Sequence, residues 1–77
     1  MGFRPAVTEE ARNFRIRIME LGSGWAAVMV VDIHDGPTGE FLYHDIEQTG
    51  VGRYATAAEA VREAETWTAA EGLPFVG

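Results

Sequence analysis

At 77 residues the chain has room for one domain and one thin core, and a composition of 47% hydrophobic and 23% charged residues excludes an intrinsically disordered chain. No cysteine and two histidines leave neither a disulfide framework nor a structural zinc set, so packing within or between chains must supply the stability. The net charge of −6, with every basic residue an arginine, disfavours a nucleic-acid backbone and suits a cationic partner.

The longest apolar run, Trp25 to Val31, is far too short to cross a bilayer, and the opening Met1 to Pro5 lacks the apolar stretch of a signal peptide. Ala6 stands where a myristoylation signal has Ser or Thr. The expectation is a cytoplasmic protein that binds neither membrane nor nucleic acid.

Residues 1–12, with Pro5 and the polar Thr8-Glu9-Glu10, show no sustained periodicity and read as a flexible arm, within which Thr8 caps at most one short turn. From Asn13 to Leu21 the pattern alternates strictly, Phe14, Ile16 and Ile18 on one side and Arg15, Arg17 and Met19 on the other, which predicts a strand. Gly22-Ser23-Gly24 supplies turn residues, and Trp25 to His34 follows as a second strand, so the two form a hairpin. With Ser23-Gly24 as a two-residue turn, Ile18 falls opposite Met29, Ile16 opposite Val31, Phe14 opposite Ile33, and Arg15 opposite Asp32. A slip of one residue would press Arg15 and Arg17 against the core.

Asp35-Gly36-Pro37-Thr38-Gly39 is a second turn, and Glu40 to Ile46 resumes as a strand. Glu47 to Gly52 reads as a loop, with Arg53-Tyr54 a candidate for a very short fourth strand. Thr56-Ala57-Ala58-Glu59 then matches a capping box, opening a helix that runs to about Glu71 and stops at Gly72 before Pro74. Ala60, Val61, Ala64, Trp67 and Thr68 line its apolar face. The fold class is α+β: residues 13–77 form a three-stranded antiparallel meander, four-stranded if Arg53-Tyr54 joins, with one C-terminal helix on one face.

Several groups of residues raise the question of chemistry. Asp32, His34 and Asp35 precede the second turn, and His44, Asp45 and Glu47 follow it; these are candidates for a metal site or for general acid–base work by His34 or His44. Residues on alternating sides of two strands do not all converge on one ion without a bulge, and a nucleophile would have to be Ser23, in a hairpin turn, or a threonine, with no elbow or oxyanion loop beside either. Gly50-Val51-Gly52-Arg53 ahead of a helix invites an anion, without the lysine of a P-loop or the parallel unit of a dinucleotide fold. Glu59, Glu63, Glu65 and Glu71, with Glu9 and Glu10, offer a negative face suited to charge mimicry, though Arg62 interrupts it and a solvated helix surface is the better account, since ordinary helices carry this many charges.

The expectation is therefore a small non-enzymatic interaction domain without cofactor or metal, forming a homodimer or docking on a protein partner. The second strand carries this reading, because it is apolar on both faces: Trp25, Ala27, Met29, Val31 and Ile33 on one, and Ala26, Val28 and Val30 on the other. One helix covers one face only, so Met19, Leu21, Ala26, Val28 and Val30 are the expected interface, covered by a second subunit, a partner or the tail Leu73-Pro74-Phe75-Val76.

Overall fold

In a computed structural model, which describes residues 10–76, three strands and a helix follow one another: β1 (Glu10–Leu21), β2 (Gly24–Asp35), β3 (Phe41–Thr49) and α1 (Ala57–Glu71). The strands form one antiparallel sheet in the order β1-β2-β3, so the meander-plus-helix expectation is met. Residues 1–9 of the expected arm lie outside the described residues. Its last three residues do not belong to an arm: Glu10, Ala11 and Arg12 pair with Asp35, His34 and Ile33. Their polar, non-alternating sequence hid a strand that is held by its backbone partner.

The β1–β2 register differs from the expected one by two residues. Leu21 pairs with Gly24, so the turn is Gly22-Ser23, and Ile18, Ile16 and Phe14 face Ala27, Met29 and Val31. A shift of two keeps every side chain on its face, so the apolar partition survives where a shift of one would have inverted it. Two constraints fix Gly24 at the hinge. Its φ is +128°, and a Cβ there would stand 2.8 Å from the Tyr54 carbonyl oxygen.

That close approach belongs to a backbone bridge. Trp25 and Tyr54 exchange both amide bonds at 2.8 Å, which realises the short fourth strand as a single antiparallel bridge beyond the end of β3. β3 itself runs three residues past its expected end, through Glu47, Gln48 and Thr49, because register shifts between Met29 and Val30 and between Ile33 and His34 absorb extra residues and break the alternation.

The helix begins and ends where its signals stand. Thr56 Oγ1 accepts the Glu59 amide at 3.3 Å, and Glu59 Oε1 accepts the Thr56 amide at 3.1 Å. Gly72, in the left-handed region at φ 71°, donates its amide to the Thr68 carbonyl at 2.8 Å. Ala60 and Ala64 are fully buried, so the helix lies close on β1 and β2. Ile16, Ala27, Met29 and Ala64 form the core, with Phe14, Ile18, Trp67, Leu73 and Phe75 packed around it. Burial of Ile16 alone contributes about 1.5–3 kcal/mol.

After Gly72 the tail returns to the outer edge of β1. Ile16 donates to the Pro74 carbonyl at 2.9 Å and accepts from the Val76 amide at 2.8 Å, making a parallel bridge with Phe75. The helix is thus tied to the sheet on both sides, at Tyr54 beside β2 and at Phe75 beside β1.

Thr56→Ala removes the oxygen that holds the Glu59 amide and is expected to cost about 0.5–2 kcal/mol in urea unfolding, with Glu59→Ala costing less. Equal midpoints for wild type and Thr56→Ala would contradict the cap.

Candidate functional site

The face of the sheet opposite the helix carries, by register, Arg15, Arg17, Met19 and Leu21 from β1, Ala26, Val28, Val30, Asp32 and His34 from β2, and Phe41, His44, Ile46 and Thr49 from β3. The five residues expected at an interface do share this face, but they do not form an exposed patch. Ala26 and Val28 are 0% exposed and Val30 is 2% exposed within the single chain, while Met19 and Leu21 are half-buried. Small side chains on a central strand are fenced by longer neighbours, here Arg15, Arg17 and Met19 on one flank and Ile46 and Thr49 on the other. Arg17, opposite Val28, has its Nε buried without a hydrogen-bond partner.

Exposure is concentrated one strand over. Phe41 to Gln48 are all exposed, and Phe41, Leu42, Tyr43 and Ile46 keep 41–50% of their surface. Apart from Val51 and Val76, these are the large apolar side chains left open among the described residues. Phe41 and Ile46 point to the face away from the helix, Tyr43 to the helix side, so β3 is open on both faces. The sequence does not single out this strand as exposed because its composition matches that of a half-buried strand; lateral position, which sequence does not state, and a helix that packs on β1 and β2 are what leave it open.

The backbone of β3 is open as well. In β2 the odd-numbered residues direct their amides and carbonyls toward β3, as Trp25 and Ala27 do to Tyr54 and Gly50. Their antiparallel partners Tyr43 and Asp45 are therefore the residues bonded inward, and His44 and Ile46 direct theirs outward.

Asp32, His34 and Asp35 are engaged locally, while Asp45 and Glu47 stand exposed on β3. Asp32 sits diagonally from Arg15, which pairs with it in two hydrogen bonds, Nε to Oδ2 at 2.7 Å and NH2 to Oδ1 at 3.2 Å. Arg15 faces Val30 directly, so the expected pair forms along the diagonal. The Arg15 hydrogen bonds hold the Asp32 carboxyl below its ordinary range against a smaller opposing effect of burial, and Asp32 in turn raises the Arg15 guanidinium. His34 places Nδ1 3.3 Å from the Gly39 carbonyl and meets the edge of Phe41 at 5.5 Å, and Phe41 also approaches His44, at 6.2 Å. No group of three or more metal-ligating side chains converges among the described residues.

The loop before the helix holds its own carboxylate. Glu63 Oε1 accepts the Gly52 amide at 3.1 Å and the Tyr54 hydroxyl at 2.8 Å, taking the place an external anion would occupy. Arg53 donates to the carbonyls of Gly50 and Gly52, at 2.8 and 2.9 Å, and to Ser23 Oγ at 3.0 Å. The hydrogen bond to Glu63 raises the Tyr54 phenol above its usual value, with desolvation and the negative charges of Glu63 and Glu59 acting in the same direction. Beside it lies an open depression of about 520 Å³ lined by Tyr54, Ala58, Glu59 and Arg62. Glu63, read from sequence as part of an acidic face, is thus a structural tether; Glu59 serves the helix cap, leaving Glu65 and Glu71 exposed on the helix. No described helix is long and apolar enough to cross a membrane.

Two outcomes follow from these contacts. Because the Asp32 carboxyl is held low in the folded state, its contribution is present above the ordinary carboxylate value of about 3.9 and is lost as pH falls through the lower folded value. Urea unfolding from pH 5 downward should therefore show a shallower acid loss in Arg15→Met than in wild type; parallel curves would contradict the coupling. Dialysis against a chelator should leave circular dichroism and melting unchanged, since the two histidines are engaged with Phe41 and Gly39, and a fall in melting temperature restored by one metal would reverse this assignment.

Comparison with protein-family models, curated proteins and solved structures gives no match for this chain.

Proposed function

We propose that this chain is a small non-enzymatic interaction domain that acts by associating with a second copy of itself. The observation that supports the reading is the concentration of exposed apolar surface on β3, where Phe41, Leu42, Tyr43 and Ile46 stand open beside a strand edge that has no partner among the described residues. Such an edge has free backbone donors and acceptors together with apolar side chains, which is the chemistry of strand addition. A domain of 77 residues also gains proportionally more from burying such surface than a large one. The engagement of His34, His44, Arg53 and Glu63 in local contacts favours this reading over one built on their chemistry.

The placement of the interface moves from the expected Met19, Leu21, Ala26, Val28 and Val30 to β3. Val30→Glu, which would have probed a dimer contact on an exposed patch, instead places a carboxylate at a position 2% exposed and probes folding. Light scattering on the full chain at micromolar concentration is expected to give twice the 8.4 kDa chain mass. A mass of 8.4 kDa throughout that range would overturn the proposal.

A further inference from the structure

We infer that two copies join β3 to β3 in antiparallel register about a two-fold axis through His44, making one continuous six-stranded sheet; this rests on the self-association proposed above. Among the described residues β3 has β2 on one side and no strand on the other. β2, flanked on both sides, buries residues on both of its faces, including Ala26, Val28 and Val30 on the face opposite the helix. Ile16 of β1 is buried beneath the helix, which packs on β1 and β2 and not on β3. β3, with one neighbour, is open on both faces. A sheet stacked on one face would cover Phe41 and Ile46 and leave Tyr43 exposed, whereas a strand added at the edge shields all three.

The register follows from the bulges and the charges. Leu42 and Glu47 are the extra residues at the two register shifts, so Tyr43 to Ile46 is the regular stretch available for pairing. Residues opposite each other across an antiparallel ladder must share a face, which restricts a two-fold axis within this stretch to a residue position. An axis at Asp45 would set two carboxylates directly opposite each other. With the axis at His44, the outward-directed backbone of His44 pairs with its own copy and each Asp45 faces Tyr43 of the other copy within the regular stretch, while Leu42, at the register shift just beyond it, comes beside Ile46 of the other copy. An axis at Tyr43 matches two inward-bonded residues, and an axis at Ile46 leaves no pair but its own inside the regular stretch. β3 contains neither Lys nor Pro, the residues that commonly protect an edge from such pairing.

Because the chain has no cysteine, a single introduced thiol reports the axis directly. In a hydrogen-bonded antiparallel pair the Cα atoms stand about 5.5 Å apart, within disulfide range. His44→Cys in the full chain should therefore form an intermolecular disulfide under mild oxidation. Asp45→Cys should not, since its own copy lies about 8 Å away across the ladder. Ile46→Lys and Leu42→Lys, both at positions more than 40% exposed in one chain, should keep the wild-type circular dichroism and weaken the dimer by at least about tenfold in sedimentation equilibrium. A dimer that cross-links at position 45 rather than 44, or that survives both lysine variants with unchanged affinity, overturns this register and edge while leaving self-association standing. A monomeric wild type overturns both.

Discussion

The lateral pairing of β2 is the constraint on which the rest of this small protein depends. Among the described residues one helix covers one face of the sheet, and on the opposite face β2 is flanked by strands on both sides. Its buried residues on the face opposite the helix are small or β-branched, Ala26, Val28 and Val30, so the longer side chains of the flanking strands rise beside them. A central strand with bulky residues on the uncovered face would have stood clear of that fence. The fold thus makes a core from both sides of one strand, which suits a chain too short for two full layers.

The helix is held in place by bridges as much as by its apolar face. Tyr54 bonds the side of β2 before the helix begins, and the segment from Pro74 to Val76 bonds the outer edge of β1 after it ends. These two fixed points set the path of α1 across the sheet, and the pair of fully buried alanines, Ala60 and Ala64, lets it run close. Glu63 adds a third tie by accepting from Gly52 and Tyr54, which converts a glycine loop that resembles an anion site into part of the scaffold. The same carboxylate shows how a residue counted as surface charge takes on a structural task once the chain folds back on it.

Much of this was legible in the sequence, and the exceptions have physical causes. Thr56, Glu59 and Gly72 marked the helix because caps are local chemistry, satisfied by residues within one turn. The partition of β1 and β2 into faces was legible because alternation has a period of two; the register was not, because a shift of two leaves that partition unchanged. The C-terminal part of β3 has the sequence of a loop because bulges break the periodicity on which a strand is recognised. Exposed apolar surface falls on Phe41, Leu42, Tyr43 and Ile46 rather than on Met19, Leu21, Ala26, Val28 and Val30 because exposure depends on which strand is outermost, and order across a sheet is a long-range property.

Edge pairing also raises the question of where assembly stops. A strand edge that accepts any other edge builds filaments, whereas an edge that accepts its own copy about a two-fold axis consumes both binding surfaces at once. On the opposite side of the sheet, the tail occupies β1 at Ile16, with Pro74 supplying a carbonyl and no amide, so that side offers an interrupted ladder to a third chain. The acid residues reinforce this limit. With a net charge of −6 per chain, each added copy meets growing repulsion, and a contact confined to four regular residues of β3 has little to offset it beyond the first pairing. Two copies joined through β3 therefore form a closed unit, in which the strand that the single chain leaves open becomes the centre of the sheet.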